Sequence, residues 1–333
     1  MEVTFYIEDN KYKGDITRKQ ILEVVKPVTQ CEFREDYEYL HIYLSHKMNE
    51  KQWCFLGIRG VSARGFYFFY DEEKNSYCVK LQLPCSYDDF NIVFDFIKKL
   101  CAFLENNKII TGDGKEYSSE KDSFKSVFSF VNSIASVFGK NNEQEQAVNE
   151  ATYIEYYPFH NQITLSLNEM LETLKQQADN KPIELSGINR VVAFNEKIIQ
   201  DIINSKDMVK SFSDFFTNIQ NLDAFSANQK LYSGKYIAMY NLRENEDTVL
   251  PFKPKLSKDV IFRGKIEDIS HFKVNLILID GNINDEKSHR KIGSIKYPEF
   301  IEKLPKDKYK FIDANQILIE ALSRKEMENL LAK

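Results

Sequence analysis

The chain has 333 residues, 43% of them apolar, and a formal net charge of −5. That composition supports a sizeable core and predicts two domains, and without a long basic block it argues against nucleic-acid binding. Glu2 and Glu8 interrupt the opening residues and argue against a secretory leader, no run approaches the roughly 18 apolar residues of a membrane span, and five cysteines without a C-x-x-C pair read as buried thiols of a reducing, cytoplasmic compartment.

Residues 1–7 alternate apolar and polar side chains, the period of a half-buried strand. Thr17 and Gln20 form a capping box for a short helix carrying Ile21, Leu22, Val24 and Val25, stopped by Pro27. Residues 37–44 (YEYLHIYL) alternate again and predict a strand leading into the most patterned part of the chain, residues 52–104. There, runs at 53–58, 66–70 and 77–83 predict a three-stranded antiparallel meander, its last strand ended by Pro84. A helix follows, capped by Ser86 with Asp89. Phe90, Val93, Phe94, Ile97, Leu100, Cys101 and Leu104 repeat at three and four residues on one face.

Ile109 and Ile110 precede a turn at Gly112-Asp113-Gly114, and Ser119 with Asp122 predicts a helix over 121–138. Residues 139–150 (GKNNEQEQAVNE) are nearly without apolar side chains. They predict a linker at 141–150 between an α+β domain at 1–140 and a second α+β domain at 151–333. In the second half, Ser166 with Glu169 predicts the start of a helix containing Met170, Leu171 and Leu174. Residues 198–203 and 212–219 read as helices, and 231–242, 260–262, 272–279, 291–295 and 317–319 as strands. Gly281-Asn282 is a turn, and Ser323 with Glu326 caps a closing helix. The fold class is therefore α+β, antiparallel meander sheets packed against helices.

No nucleotide-binding, hydrolase or zinc-site motif is present, and the five histidines are dispersed, so no metal or cofactor is expected. The stretch 280–286 (DGNINDE) has oxygen donors but lacks the glycine and closing glutamate of a calcium loop and reads as an acidic turn. The binding candidates are Arg59 and Arg64, which flank the small-residue link RGVSARG and offer guanidinium forks to a carboxylate or phosphate. The competing reading pairs each with a nearby acid such as Asp88 or Asp89, holding the hairpin on the helix. Asp113 and Glu116 present two carboxylates at a strand end, suited to acid–base work or to a solvated turn.

The opening VTFYI, the run SARGFYFFY…YCVKLQLP with its SYDDF helix start, and the later GKYIAMYNL and IDANQILI segments resemble an uncharacterised family of bacterial cytoplasmic proteins that carries a domain-of-unknown-function label. That resemblance implies no activity, cofactor or catalytic residue. The expectation is a non-catalytic binding or interaction protein with a protein partner, adaptor-like or immunity-like. The alternative is an enzyme acting on a phosphate- or carboxylate-bearing substrate at an arginine-lined site.

Overall fold

The computed structural model describes residues 1–32, 38–50, 53–119, 159–177, 181–227, 230–232, 237–254 and 271–332. The fold is α+β, and the chain divides into two compact units. One comprises Met1–Asn180 with Ser186–Asn189 and Ile199–Asn221; the other comprises Lys181–Leu185, Arg190–Ile198 and Leu222–Lys333.

The first unit is built on a seven-stranded sheet. Its strands are β1 (Glu2–Glu8), β2 (Thr29–Gln30), β3 (Cys54–Gly57), β4 (Phe66–Asp71), β5 (Ser76–Gln82), β6 (Lys108–Thr111) and β7 (Glu116–Ser118), in the order β2-β3-β4-β5-β1-β6-β7. Neighbouring strands are antiparallel throughout, and β3-β4-β5 is the expected meander. Register places Val3, Phe5 and Ile7 beside Leu81, Val79 and Tyr77 on one face, continued by Phe66 and Phe68, all buried. That face receives α3 (Tyr87–Leu104), whose capping box of Ser86 and Asp89 forms as expected. Phe96 meets Phe66 and Phe68 edge-on, at ring-centroid distances of 5.0 and 4.9 Å, and Phe94 meets Phe5 at 6.0 Å. The expected helix after Thr17 is α1 (Arg18–Val24).

Two expectations in this unit are corrected. Residues Leu40–Ser45 form a helix, α2, with none of its residues buried, where the alternation predicted a strand. The edge of β3 is taken instead by Thr29–Gln30. Tyr39, Leu40, Tyr43 and Leu44 fit helical spacing as well as alternation, and a strand without a partner has no ladder to hold it. The helix containing Met170 is α4 (Phe159–Gln176), which spans Ser166 and is not capped there. Mid-helix, the Ser166 hydroxyl donates to the Gln162 carbonyl at 2.9 Å, the back-bonding open to serine inside a helix. The predicted helix at 121–138, the linker at 141–150 and the predicted strand at 260–262 lie outside the described residues.

Helices α5 (Glu196–Ile203) and α6 (Met208–Gln220) match their predicted positions, α6 being capped by Asp207. The second unit contains a two-stranded sheet, β8 (Ile183–Ser186) with β9 (Val191–Phe194), and two four-stranded sheets. The first of these is ordered β10-β13-β17-β16, from Phe225–Ser226, Thr248–Pro251, Gln316–Ile319 and Tyr309–Phe311; the second is ordered β11-β12-β14-β15, from Lys230–Tyr232, Ile237–Arg243, His271–Ile279 and His289–Lys296. Two pairings, β10 with β13 and β12 with β14, are parallel. Leu242, Val274, Leu276, Ile295, Phe300 and Ile319 lie in one buried core with Met327 and Leu330 of the closing helix. A helix not expected from the sequence, α7 (Tyr297–Lys303), supplies Phe300, and the closing helix is α8 (Arg324–Leu331), capped by Ser323 and Glu326 as expected.

Candidate functional site

The RGVSARG link joins β3 to β4 and is bolted to the start of α3 by one carboxylate. Asp89 is fully buried. Its Oδ1 accepts the amides of Ala63 (3.1 Å) and Gly65 (2.9 Å), and its Oδ2 accepts the amides of Arg64 (2.9 Å) and Ser86 (3.3 Å) and the Ser86 hydroxyl (2.8 Å). Burial pushes the Asp89 carboxyl up, and the amide donors of Arg64 and Gly65 and the Ser86 donors pull it back. Gly65 is required in this arrangement: its φ is +66°, and a Cβ there would stand 2.6 Å from the Leu56 carbonyl oxygen.

Arg64 is also buried, and all sides of its guanidinium are engaged. Nη1 donates to the Pro84 carbonyl at 2.8 Å, Nη2 to Gln82 Oε1 at 2.8 Å, and Nε to the Ser186 carbonyl at 3.1 Å. Asp89 therefore does hold the hairpin on the helix, but through main-chain amides and not by a side-chain ion pair with Arg64. The physical reason is reach: a short carboxylate at the third helical position faces the turning backbone, while the long guanidinium passes on to carbonyls behind it. Arg59 is exposed, at the other end of the link, and its charge lowers the pKa of the Cys31 thiol, which burial pushes up to about 11. The two arginines thus occupy different environments and form no common fork.

Asp113 and Glu116 sit at the β6–β7 turn. Asp113 accepts the Thr111 hydroxyl and pairs with Lys115 at 3.0 Å, while Glu116 pairs with Lys108 at 2.6 Å. Each carboxylate has its own exposed lysine. Asp280, at the head of the acidic turn, is held by Arg290 at 2.7 Å and Arg324 at 2.8 Å. Among the described residues no cluster of three His, Cys, Asp or Glu side chains is placed to hold a metal.

The face of the sheet opposite α3 carries a band of rings. Register aligns Phe55, Tyr67 and Lys80, with Phe69 in the next row. Trp53 stacks on Phe69 (centroids 4.2 Å apart, 27° between planes) and meets Tyr67 edge-on at 5.8 Å, and Phe55 lies 5.2 Å from Tyr67. Lys80 Nζ stands 5.1 Å from the Trp53 ring and 3.1 Å from Glu2 Oε1. Trp53 is 47% exposed, the exposed end of the band. Alternation in 66–70 shows aromatics on both faces, so the band was readable in outline; its contact with Trp53 across strands was not.

A family model covers the sequence along nearly its whole length. The family model described as "Domain of unknown function (DUF4299)" matches residues 2–126 and 121–330. The chain belongs to this family. No curated protein and no solved structure matches it. The family description assigns no activity, so the groups described above rest on their own geometry. No helix among the described residues is long and apolar enough to cross a membrane.

Proposed function

We propose that the chain is a non-catalytic binding protein whose partner is another protein, docked on the aromatic band of the seven-stranded sheet. The observation that carries this reading is the half-exposed Trp53 stacked on Phe69 and backed by Tyr67. Rigid aromatic anchors of this kind concentrate binding energy at protein interfaces. Lys80 lies at the same rings but is already paired with Glu2, so the partner presents an apolar side chain. The engagement of the Arg64 guanidinium by three oxygens of its own chain favours this reading over an enzyme working at the arginine link. The proposal includes a bacterial, cytoplasmic setting, supported by five buried cysteines that are all free.

The test begins with capture from native bacterial lysate, identification of the captured protein by mass and its purification. The pure protein is expected to bind the wild type and to lose affinity about tenfold or more against Trp53→Ser, an anchor-sized effect. Matched thermal melts check that the variant is folded. Failure of every captured protein to bind when pure, or binding indifferent to Trp53→Ser, overturns the reading.

A further inference from the structure

The sheet β11-β12-β14-β15 ends on a long open edge. β15 runs for 8 residues, His289–Lys296, where roughly five or six are usual for a strand. Its inner edge pairs with β14, and among the described residues no backbone group bonds to its outer edge. In β14 the Ile277 carbonyl accepts the Glu244 amide and the Ile279 amide donates to the Glu244 carboxylate, so the backbone of both residues turns toward β12. Strand alternation then turns Val274 and Leu276 toward β15, and it leaves the backbone N–H and C=O groups of Ser294 and Lys296 on the outer edge.

The strand carries Arg290, Lys291 and Lys296 and no carboxylate. Arg290 is held by Asp280. Lys273 of β14 and Lys296 stand directly opposite each other, in a pair whose backbone bonds point away and whose side chains are therefore close. Among the described residues neither has an acidic partner, and like charges so placed destabilise a sheet. Lysine on an edge strand can serve to discourage pairing, but Lys273 lies on an inner strand, where it guards nothing. We propose that the outer edge of β15 accepts an extended, acidic segment of a partner protein as a further strand. Main-chain bonds to Ser294 and Lys296 hold the segment. An acidic side chain beside Lys296 completes the row of Lys273 and Lys296, and alternate apolar side chains lie beside Ile295, on the face where Leu331 covers Gly293. A second copy of this chain does not fit, because it sets one basic strand against another. The edge belongs to the other unit from the aromatic band, and the proposal stands independently of it.

The experiment titrates the full chain against a labelled decapeptide of alternating glutamate and valine, read by fluorescence anisotropy, with hydrogen exchange across residues 289–296 followed at saturation. Saturable binding is expected, with slowed exchange of the Ser294 and Lys296 amides. Lys296→Glu should weaken binding about tenfold or more. Lys273→Glu should do the same and melt higher than wild type, because it pairs with Lys296. Thermal melts check that each variant is folded. A fully N-methylated peptide keeps its charges but has no main-chain donors, and it should not bind the wild type, a control that needs no variant. No saturable binding, no slowing at 289–296, equal binding of the N-methylated peptide, or indifference to both charge reversals overturns the proposal. So does tighter binding of oligothymidine, which marks a nucleic-acid surface, or self-association of the chain that the peptide competes away.

Discussion

Asp89 shows how much of a fold one carboxylate can hold. Three amides of the β3–β4 link and two donors of Ser86 converge on it. Asp89→Ala should therefore lower stability by about 3–5 kcal/mol, because buried donors lose a charged acceptor; Asp89→Asn, which keeps one oxygen, should cost less. A denaturant titration of both variants checks this, and a loss below about 1 kcal/mol for Asp89→Ala would refute the bolt. Arg64→Ala should lower stability by about 1–3 kcal/mol by leaving carbonyls unmet, and phosphate should not distinguish it from wild type in a melt. At this scale the sequence was partly legible. Ser86 and Asp89 announce a capping box at a spacing of three, but the amides they serve lie 24 to 26 residues away, beyond any local pattern. Arg18, a cation in the first turn of α1, opposes the helix dipole and is placed there by its bond to the Tyr43 carbonyl and its stacking on the Tyr43 ring.

Among the elements, α3 was the most legible because its apolar face is long and its cap unambiguous. Phe94 packs between Phe5 and Phe90, so Phe94→Ala should cost about 3–5 kcal/mol, as for other buried phenylalanines; urea midpoints of the two proteins measure it. The meander was legible because alternation at Tyr77, Val79, Leu81 and Leu83 comes with neighbouring apolar runs and turn signals that supply partner strands. Residues 37–44 were misread because eight residues satisfy two periods at once, and only a partner strand decides between them. The two-residue strands β2 and β10 carry no readable period, and they exist because a neighbour's edge is open beside them. Ser166 was misread as a cap because a serine three residues before a glutamate occurs inside helices too.

At the scale of the molecule, acid should be felt in the second unit through the buried Glu244 and its partner Arg324. Glu244 is 5% exposed, and the Arg324 guanidinium holds its carboxyl below the usual range, helped by the Ile279 amide. A depressed folded pKa stabilises above the unfolded value and is lost as pH falls through the folded one. Wild type should therefore lose stability on acidification below the ordinary glutamate pKa of 4.5, and Arg324→Ala should flatten that loss. Melting temperatures between about pH 3 and pH 7 test the sign. The first unit also gathers residues from both sides of the polar stretch at 141–150, since α4 and α6 group with the strands of β1 to β7. Cleavage at a protease site placed in that stretch should leave two fragments that co-elute on native size exclusion; separate elution would show that 1–140 stands alone.

The place of β1 in the sheet has a consequence for how the chain is made. β1 lies between β5 and β6, and its seven-residue ladder pairs Glu8 with Ser76 and Glu2 with Gln82, partners that are synthesised well after it. At translation rates of about 5–20 residues per second, the nascent chain waits roughly 4 to 14 seconds for that partner. Throughout the wait Val3, Phe5 and Ile7 have no sheet to enter. Residues 2–8 are thus exposed apolar strand for the whole of that interval, a stretch that needs shelter during synthesis.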